Sequence, residues 1–177
     1  TANYDLKDVN TIGKYAPKIS GIYGILSGDK TPNKRSRMWD PMFEDKTLNS
    51  IVNALFLNTN VRYAGVSANC KPIDDITLSG VYGYYWFDRT IAGAPLTGTG
   101  WYPMTYSFGQ YANDGSKQMG QAFDITATYD YTEDVQFSLT GSYFFPGSGI
   151  QAISDDSTMT SKINDASQVI GAMKVTF

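Results

Sequence analysis

The stretch QAFDITATYDYTEDVQFSLTGSYFFPG, Gln121 to Gly147, consists of two runs of alternating residues joined by the polar link Tyr131, Thr132, Glu133 and Asp134. Period-two alternation on both sides of a short polar link predicts a β-hairpin. On the first run Phe123, Ile125, Ala127, Tyr129 and Tyr131 share one face, and Asp124, Thr126, Thr128 and Asp130 share the other. On the second, Val135, Phe137, Leu139, Gly141, Tyr143 and Phe145 oppose Gln136, Ser138, Thr140 and Ser142. Each strand is therefore apolar on one side and polar on the other. Two architectures give this pattern: a soluble, secreted β-sandwich whose apolar faces form a core, and a membrane barrel whose apolar faces meet lipid.

The flanking sequence supplies more strands of the same kind. Ile76 to Arg89, ITLSGVYGYYWFDR, places Ile76, Leu78, Tyr82, Tyr84 and Trp86 on one face. The compact turn KPIDD, Lys71 to Asp75, separates it from a weaker strand, Val61 to Cys70. Pro17 to Gly28 has Ile19, Gly21, Tyr23 and Ile25 on one side and Lys18, Ser20, Ile22 and Leu26 on the other. The chain closes with Gln168 to Phe177, where Val169, Gly171, Met173, Val175 and Phe177 alternate. Thr1 to Ala16 has no clear period and reads as a turn or the tail of a preceding strand. About six strands are thus expected in one antiparallel all-β domain.

The connections alternate in length. Long segments run from Asp29 to about Asn60, with a short helix expected at Leu48 to Leu57, from Thr90 to Gln118, and from Ser148 to Ser167. Short turns lie between them, and this is the asymmetry of an outer-membrane barrel, with short periplasmic turns and long outer loops. Aromatic residues gather near strand ends, at Tyr84, Tyr85, Trp86 and Phe87, at Tyr129 and Tyr131, and at Tyr143, Phe144 and Phe145. Rings with polar tips suit the two headgroup levels. A terminal Phe177 on an amphipathic strand resembles the signal by which barrel-assembly machinery recognises its substrates, although Val175 stands where a second aromatic is usual.

Composition narrows the function classes. The 177 residues carry a net charge of −3 with 18% charged and 14% aromatic residues, so a basic footprint for nucleic acid is absent. The single cysteine, Cys70, forms no internal disulfide. No run approaches the roughly 18 apolar residues of a spanning helix, a test to which β-barrels are blind. The chain has no histidine, which removes Ser-His and Cys-His nucleophile pairs and His-containing metal sites. The carboxylate pairs Asp74 with Asp75, Asp155 with Asp156, and Asp40 with Glu44 remain, but adjacent Asp residues in turns serve local hydrogen bonding. No phosphate-cradling glycine motif precedes a helix. No enzymatic activity and no cofactor or metal are expected.

Met119 to Gly147 resembles the penultimate hairpin of the alginate-export family of bacterial outer-membrane barrels. SGDK at Ser27 to Lys30, followed by WDPMFED at Trp39 to Asp45, is similar to that family's strand end and outer loop. The order continues through Asn58 and Asn60, a turn at Pro72 and the terminal strand. Ala122 stands where the family tends to have an acidic residue. The resemblance implies an outer-membrane porin, a barrel of about 16–18 strands, and passage of polar solutes or polysaccharide. Six strands cannot close a membrane barrel, because the smallest single-chain barrels have about eight. The expectation is that this is the C-terminal part of a longer barrel, or that several copies share one.

If the apolar faces meet the lipid bilayer, the expected lumen lining is Lys18, Arg62, Asp124, Thr126, Thr128, Asp130, Gln136, Ser138 and Lys174. In this mixed lining Asp124 and Asp130 oppose the basic residues, so a preference for polyanions does not follow. The expected outer-loop recognition residues are Lys34, Arg35, Arg37, Trp39, Phe43, Trp101, Tyr102 and Tyr106. In the alternative of a non-conducting barrel, these loops bind a partner or glycan.

Overall fold

A computed structural model describes residues 1–5, 15–28, 39, 47–56, 58–89, 116–155 and 164–177. Its strands are β1 (Ala2–Asp5), β2 (Lys18–Leu26), β3 (Val61–Ile73), β4 (Ile76–Phe87), β5 (Gln118–Asp130), β6 (Val135–Pro146) and β7 (Ala166–Val175). Two helices interrupt them, α1 (Ser50–Leu55) and α2 (Ser148–Asp155). All strands hydrogen-bond in chain order in a 7-stranded sheet, and each neighbouring pair is antiparallel. This is the meander expected of a barrel wall, and a single sheet rather than a sandwich. The seventh strand, β1, arises where the sequence has no side-chain period. It pairs Ala2–Asp5 with Lys18–Gly21, using backbone groups that carry no sequence signature.

Antiparallel order sorts the connections. Residues 74–75 and 131–134 turn at one rim, and the segments 27–60, 88–117 and 147–165 leave from the opposite one. The tight turn at the first rim is tied by Thr132, whose Oγ1 accepts from the N–H groups of Asp134 at 3.3 Å and Val135 at 3.0 Å. The two short turns are also joined to their neighbours. Asp130 N–H donates to the Asp75 carbonyl and Thr176 N–H to that of Asp134.

Register fixes the faces. Ile19, Ala68, Gly80, Ile125, Gly141 and Val169 lie opposite one another along one row, and this face stays bare. Leu139 on it is 58% exposed and Ile125 51%, which water would penalise and hydrocarbon would not. Rings flank its small and aliphatic middle. Tyr129, Tyr131 and Phe137 form edge contacts toward the short-turn rim, while Tyr23, Tyr84 and Trp86, and Tyr143 with Phe145, cluster toward the long-loop rim. From Phe137 to Phe145 along β6 is about 27 Å at 3.4 Å per residue. At a strand tilt near 40° that is about 21 Å of height, against an apolar band of about 25 Å in outer-membrane barrels.

The other face carries the helices and the core. Tyr85, Phe87 and Phe144, expected among the girdle rings, are buried there with Leu26, Val61, Tyr63 and Met119. Consecutive aromatics on a strand must point to opposite sides, so only alternate ones reach the girdle. Ala122 is wholly buried in this core, where an acidic residue would have no water. Near its start β5 bulges: register shifts between Tyr85 and Trp86, and Gly120 at φ +154° holds the kink. A Cβ there would run into the Phe145 carbonyl and the Phe144 ring.

Replacing Gly120 by Ala is expected to destabilise the folded protein by about 1–3 kcal/mol through backbone strain alone. Gly141→Ala, where a Cβ meets open space, is expected to stay within about 0.5 kcal/mol. Equilibrium urea unfolding of the refolded protein in phospholipid measures both.

Candidate functional site

Residues 47–56, in the connection between β2 and β3, lie against the helix-bearing face. They are seated where β3 and β4 lack side chains: Gly65 and Gly83 are register partners, and a Cβ on them would collide with Leu48 and with the Asn49 side chain. Into this depression fits α1, close to the Leu48–Leu57 helix expected from sequence. Its Ile51 and Val52 are buried, each contributing about 1.5–3 kcal/mol relative to exposure. Phe56 beyond its end packs on Phe144 with ring centroids 5.1 Å apart.

Polar bonds fix the helix start. Its Ncap residue Asn49 makes no side-chain cap to its own helix. The first-turn N–H of Ser50 instead donates to Asp124 Oδ2 of β5 at 2.8 Å, and Ser50 Oγ donates to the same oxygen at 3.1 Å. A carboxylate at a helix N-terminus satisfies an orphan N–H and complements the dipole. Ser50 Oγ also meets Ser142 Oγ at 3.0 Å. Asn49 is wholly buried and faces Tyr85. The Tyr85 hydroxyl donates to Asn49 Oδ1 at 2.8 Å and accepts from Asn49 N–H at 3.2 Å, while Asn49 Nδ2 donates to the Val81 carbonyl. A helical turn is thereby pinned across the upper half of this face from three strands, β4, β5 and β6.

A second junction closes the same segment at the long-loop rim. Asn60, at φ +54°, donates through Nδ2 to the Arg89 carbonyl and accepts the Arg89 N–H. Asp88 is buried beside it. Its Oδ2 accepts the Gly28 N–H at 3.0 Å, and its Oδ1 accepts from Arg62 Nε. Burial pushes the Asp88 carboxyl upward, but the Gly28 N–H and the Arg62 and Arg89 guanidinium groups outweigh it and hold the carboxyl below the usual carboxylate range.

Below α1 the face is polar and open. Thr126 and Thr140 share a hydroxyl bond of 2.8 Å, and Gln136 Nε2 donates to Asp130 Oδ1 at 2.6 Å. At the short-turn mouth a recess of about 600 Å³ is lined by Asp75, Asp130, Glu133, Asp134, Gln136 and Lys174. Lys18, Thr126, Thr128, Asp130, Gln136, Ser138 and Lys174 all occupy this face by register. Asp124 does too, but it is 6% exposed and committed to Ser50.

Arg62 is a correction to the expected lining. It lies opposite Ile25 and Trp86, on the bare apolar face, because Ser67 and Asn69 of β3 share the inner face with Lys18 and Arg62 has the opposite parity on the strand. Of the expected outer-loop residues, Trp39 is exposed, with its N–H on the Ser27 carbonyl and its own carbonyl on Thr59 Oγ1. Lys34, Arg35, Arg37, Phe43, Trp101, Tyr102 and Tyr106 lie outside the described residues. Asp74 and Asp75 are exposed turn residues; Asp40, Glu44 and Asp156 lie outside the described residues. Among those described, no group of three His, Cys, Asp or Glu residues is placed to hold a metal ion. The contributions of Asn49, Ser50, Tyr85 and Ser142 were not legible in advance. The two-sided apolar run VYGYYWF and the apolar run at Leu48 to Leu57 were the available signs that something packs inside.

A family model described as alginate export matches residues 4–163. The chain belongs to the alginate export family, a transport family of outer-membrane β-barrels. No curated protein and no solved structure matches it.

Because the folded pKa of Asp88 lies below its unfolded value, the stabilisation is complete above the ordinary carboxylate pKa, near 3.9. It is lost as pH falls through the lower, folded value. Hydrogen exchange at Gly28, Asn60 and Arg89 is expected to stay slow down to about pH 4 and to accelerate below it. Asp88→Asn should exchange faster at neutral pH and lose the acid dependence.

Proposed function

We propose that this alginate-export family chain forms part of an outer-membrane channel for polar solutes or polysaccharide, with its bare face toward lipid and its helix-bearing face lining the lumen. The observation that carries the reading is α1, a helix folded back onto the inner face and bonded to Asp124, Ser142 and Tyr85. A non-conducting barrel gains nothing from narrowing its interior at a defined height above a hydroxyl-lined stripe. In a channel, such a turn sets the diameter of the largest passing solute. Lys18, Thr126, Thr128, Asp130, Gln136, Ser138 and Lys174 line the path beneath it. The two sheet edges, at β1 and β7, meet further strands, from the same polypeptide or from other copies, since backbone groups in hydrocarbon must be paired.

Single-channel recording of the complete barrel in planar bilayers tests this. Tyr85→Phe and Asp124→Ala each remove partners of α1 at about 1–3 kcal/mol, or roughly 5–150-fold in the equilibrium between docked and released helix. The double variant is expected to show long-lived states of higher conductance. Absence of any steps from the unmodified barrel would defeat the channel reading.

Orientation has its own test. Leu139→Arg, near the middle of the bare face, is expected to cost about 2–4 kcal/mol of stability in phospholipid. Unchanged stability on urea titration would mean that this face does not meet lipid.

A further inference from the structure

Among the described residues at paired strand positions, the bare face carries one charged side chain, Arg62. It stands in the upper aromatic girdle, directly across from Trp86. Trp86 in turn packs on Tyr23 at 6.0 Å and on Tyr84 at 5.7 Å. An arginine facing lipid is expensive at mid-bilayer and nearly free at the interface, so its position marks the headgroup level.

Asp88 does not neutralise what surrounds it. Arg62 Nε donates to Asp88 Oδ1, Arg89 Nε lies 3.5 Å from Asp88 Oδ2, and Lys117 Nζ donates to the Asp88 carbonyl oxygen at 3.3 Å. Two guanidinium groups flank one carboxylate that already accepts the Gly28 N–H, and a lysine holds the same residue by its backbone carbonyl. Arg89 is 40% exposed, yet its Nε is shielded from solvent without a hydrogen-bond acceptor among the described residues. Among the described residues the cluster therefore has surplus positive charge, an unsatisfied donor, and a partly exposed arginine side chain on each flank of Asp88.

We propose that Arg62 and Arg89 bind the phosphate of a membrane lipid headgroup, with Trp86 and Tyr23 packed against the adjoining part of that lipid. Planar guanidinium forks match phosphate oxygens in pairs, and interfacial rings hold the lipid at the right depth. This inference rests on the lipid-facing placement proposed above.

The experiment uses the full chain reconstituted in vesicles, with Trp39→Phe and Trp101→Phe so that Trp86 is the sole tryptophan. Quenching of Trp86 by brominated phosphatidylglycerol is compared with quenching by brominated phosphatidylcholine. Both lipids are expected to quench, with an about fivefold or greater preference for phosphatidylglycerol at low salt. High salt and the Arg62→Gln/Arg89→Gln variant should abolish the preference. Among the described residues the Arg89 hydrogen bonds are all made by its backbone, so Arg89→Gln alone keeps them and should reduce the preference, which keeps the test intact if the double variant does not assemble. No quenching by either lipid would remove the lipid-facing placement itself. Equal quenching by both lipids, or a preference unaltered in Arg89→Gln, would overturn the phosphate site alone. Inorganic phosphate that eliminates the preference would overturn its assignment to a lipid.

Discussion

A strand in hydrocarbon has no water to satisfy its N–H and C=O groups, so each must pair with a neighbouring strand. Seven strands in unbroken meander order meet that demand at every internal boundary. The same demand explains the bulge at Gly120. An extra residue in β5 shifts the ladder, and the freed groups are taken up locally: Phe87 N–H donates to the Lys117 carbonyl and Gly147 N–H to that of Met119. Pairing also imposes a strict alternation of faces, and every other feature of the molecule follows from which residues fall on which side. The girdle rings, the core beneath α1 and the polar stripe are three consequences of one register.

Much of this register was readable from the sequence. Below the level of α1 the hairpin alternates without exception, from Phe123 to Asp130 and from Val135 to Tyr143, and only at its open end do Ala122 and Phe144 put apolar side chains on the polar face. Its tight turn, the faces of β2 and β7, and the long and short connections are where alternation and turn chemistry place them. The short helix near Leu48–Leu57 was legible as well, since a brief apolar run inside a long polar loop has to cover something.

What the sequence did not disclose lies where a second rule overrides alternation. On the upper half of the inner face the environment is protein, not water, so Leu26, Val61, Tyr63, Tyr85, Phe87 and Phe144 are apolar on the side that a simple barrel leaves polar. Aromatic clusters near strand ends then mix girdle rings with core rings, and composition cannot separate them. Arg62 is the converse case. An arginine on the apolar face is readable only once Asp88, far along the chain, is known to sit beside it. Asp124 illustrates a third limit, because a strand carboxylate that caps a helix more than seventy residues away looks like an ordinary wet-face acid.

These reassignments change the electrostatics of the proposed lumen. Arg62 leaves the inner face altogether, and Asp124 is buried under α1 with its charge spent on Ser50. Among the residues expected to line the lumen, the charges that remain on this stripe are Lys18, Lys174 and Asp130, and Asp130 accepts a hydrogen bond from Gln136. At the short-turn mouth the balance reverses, since Asp75, Glu133 and Asp134 join Asp130 around a single Lys174. A polyanion approaching that rim meets like charge before it meets either lysine. In the proposed channel, discrimination over this part of the wall therefore rests on the hydroxyl stripe and the width left by α1 rather than on a net positive field. The seat of that width is the side-chain-free pair Gly65 and Gly83, which lets a helix approach the sheet closely enough for Tyr85 and Asp124 to hold it.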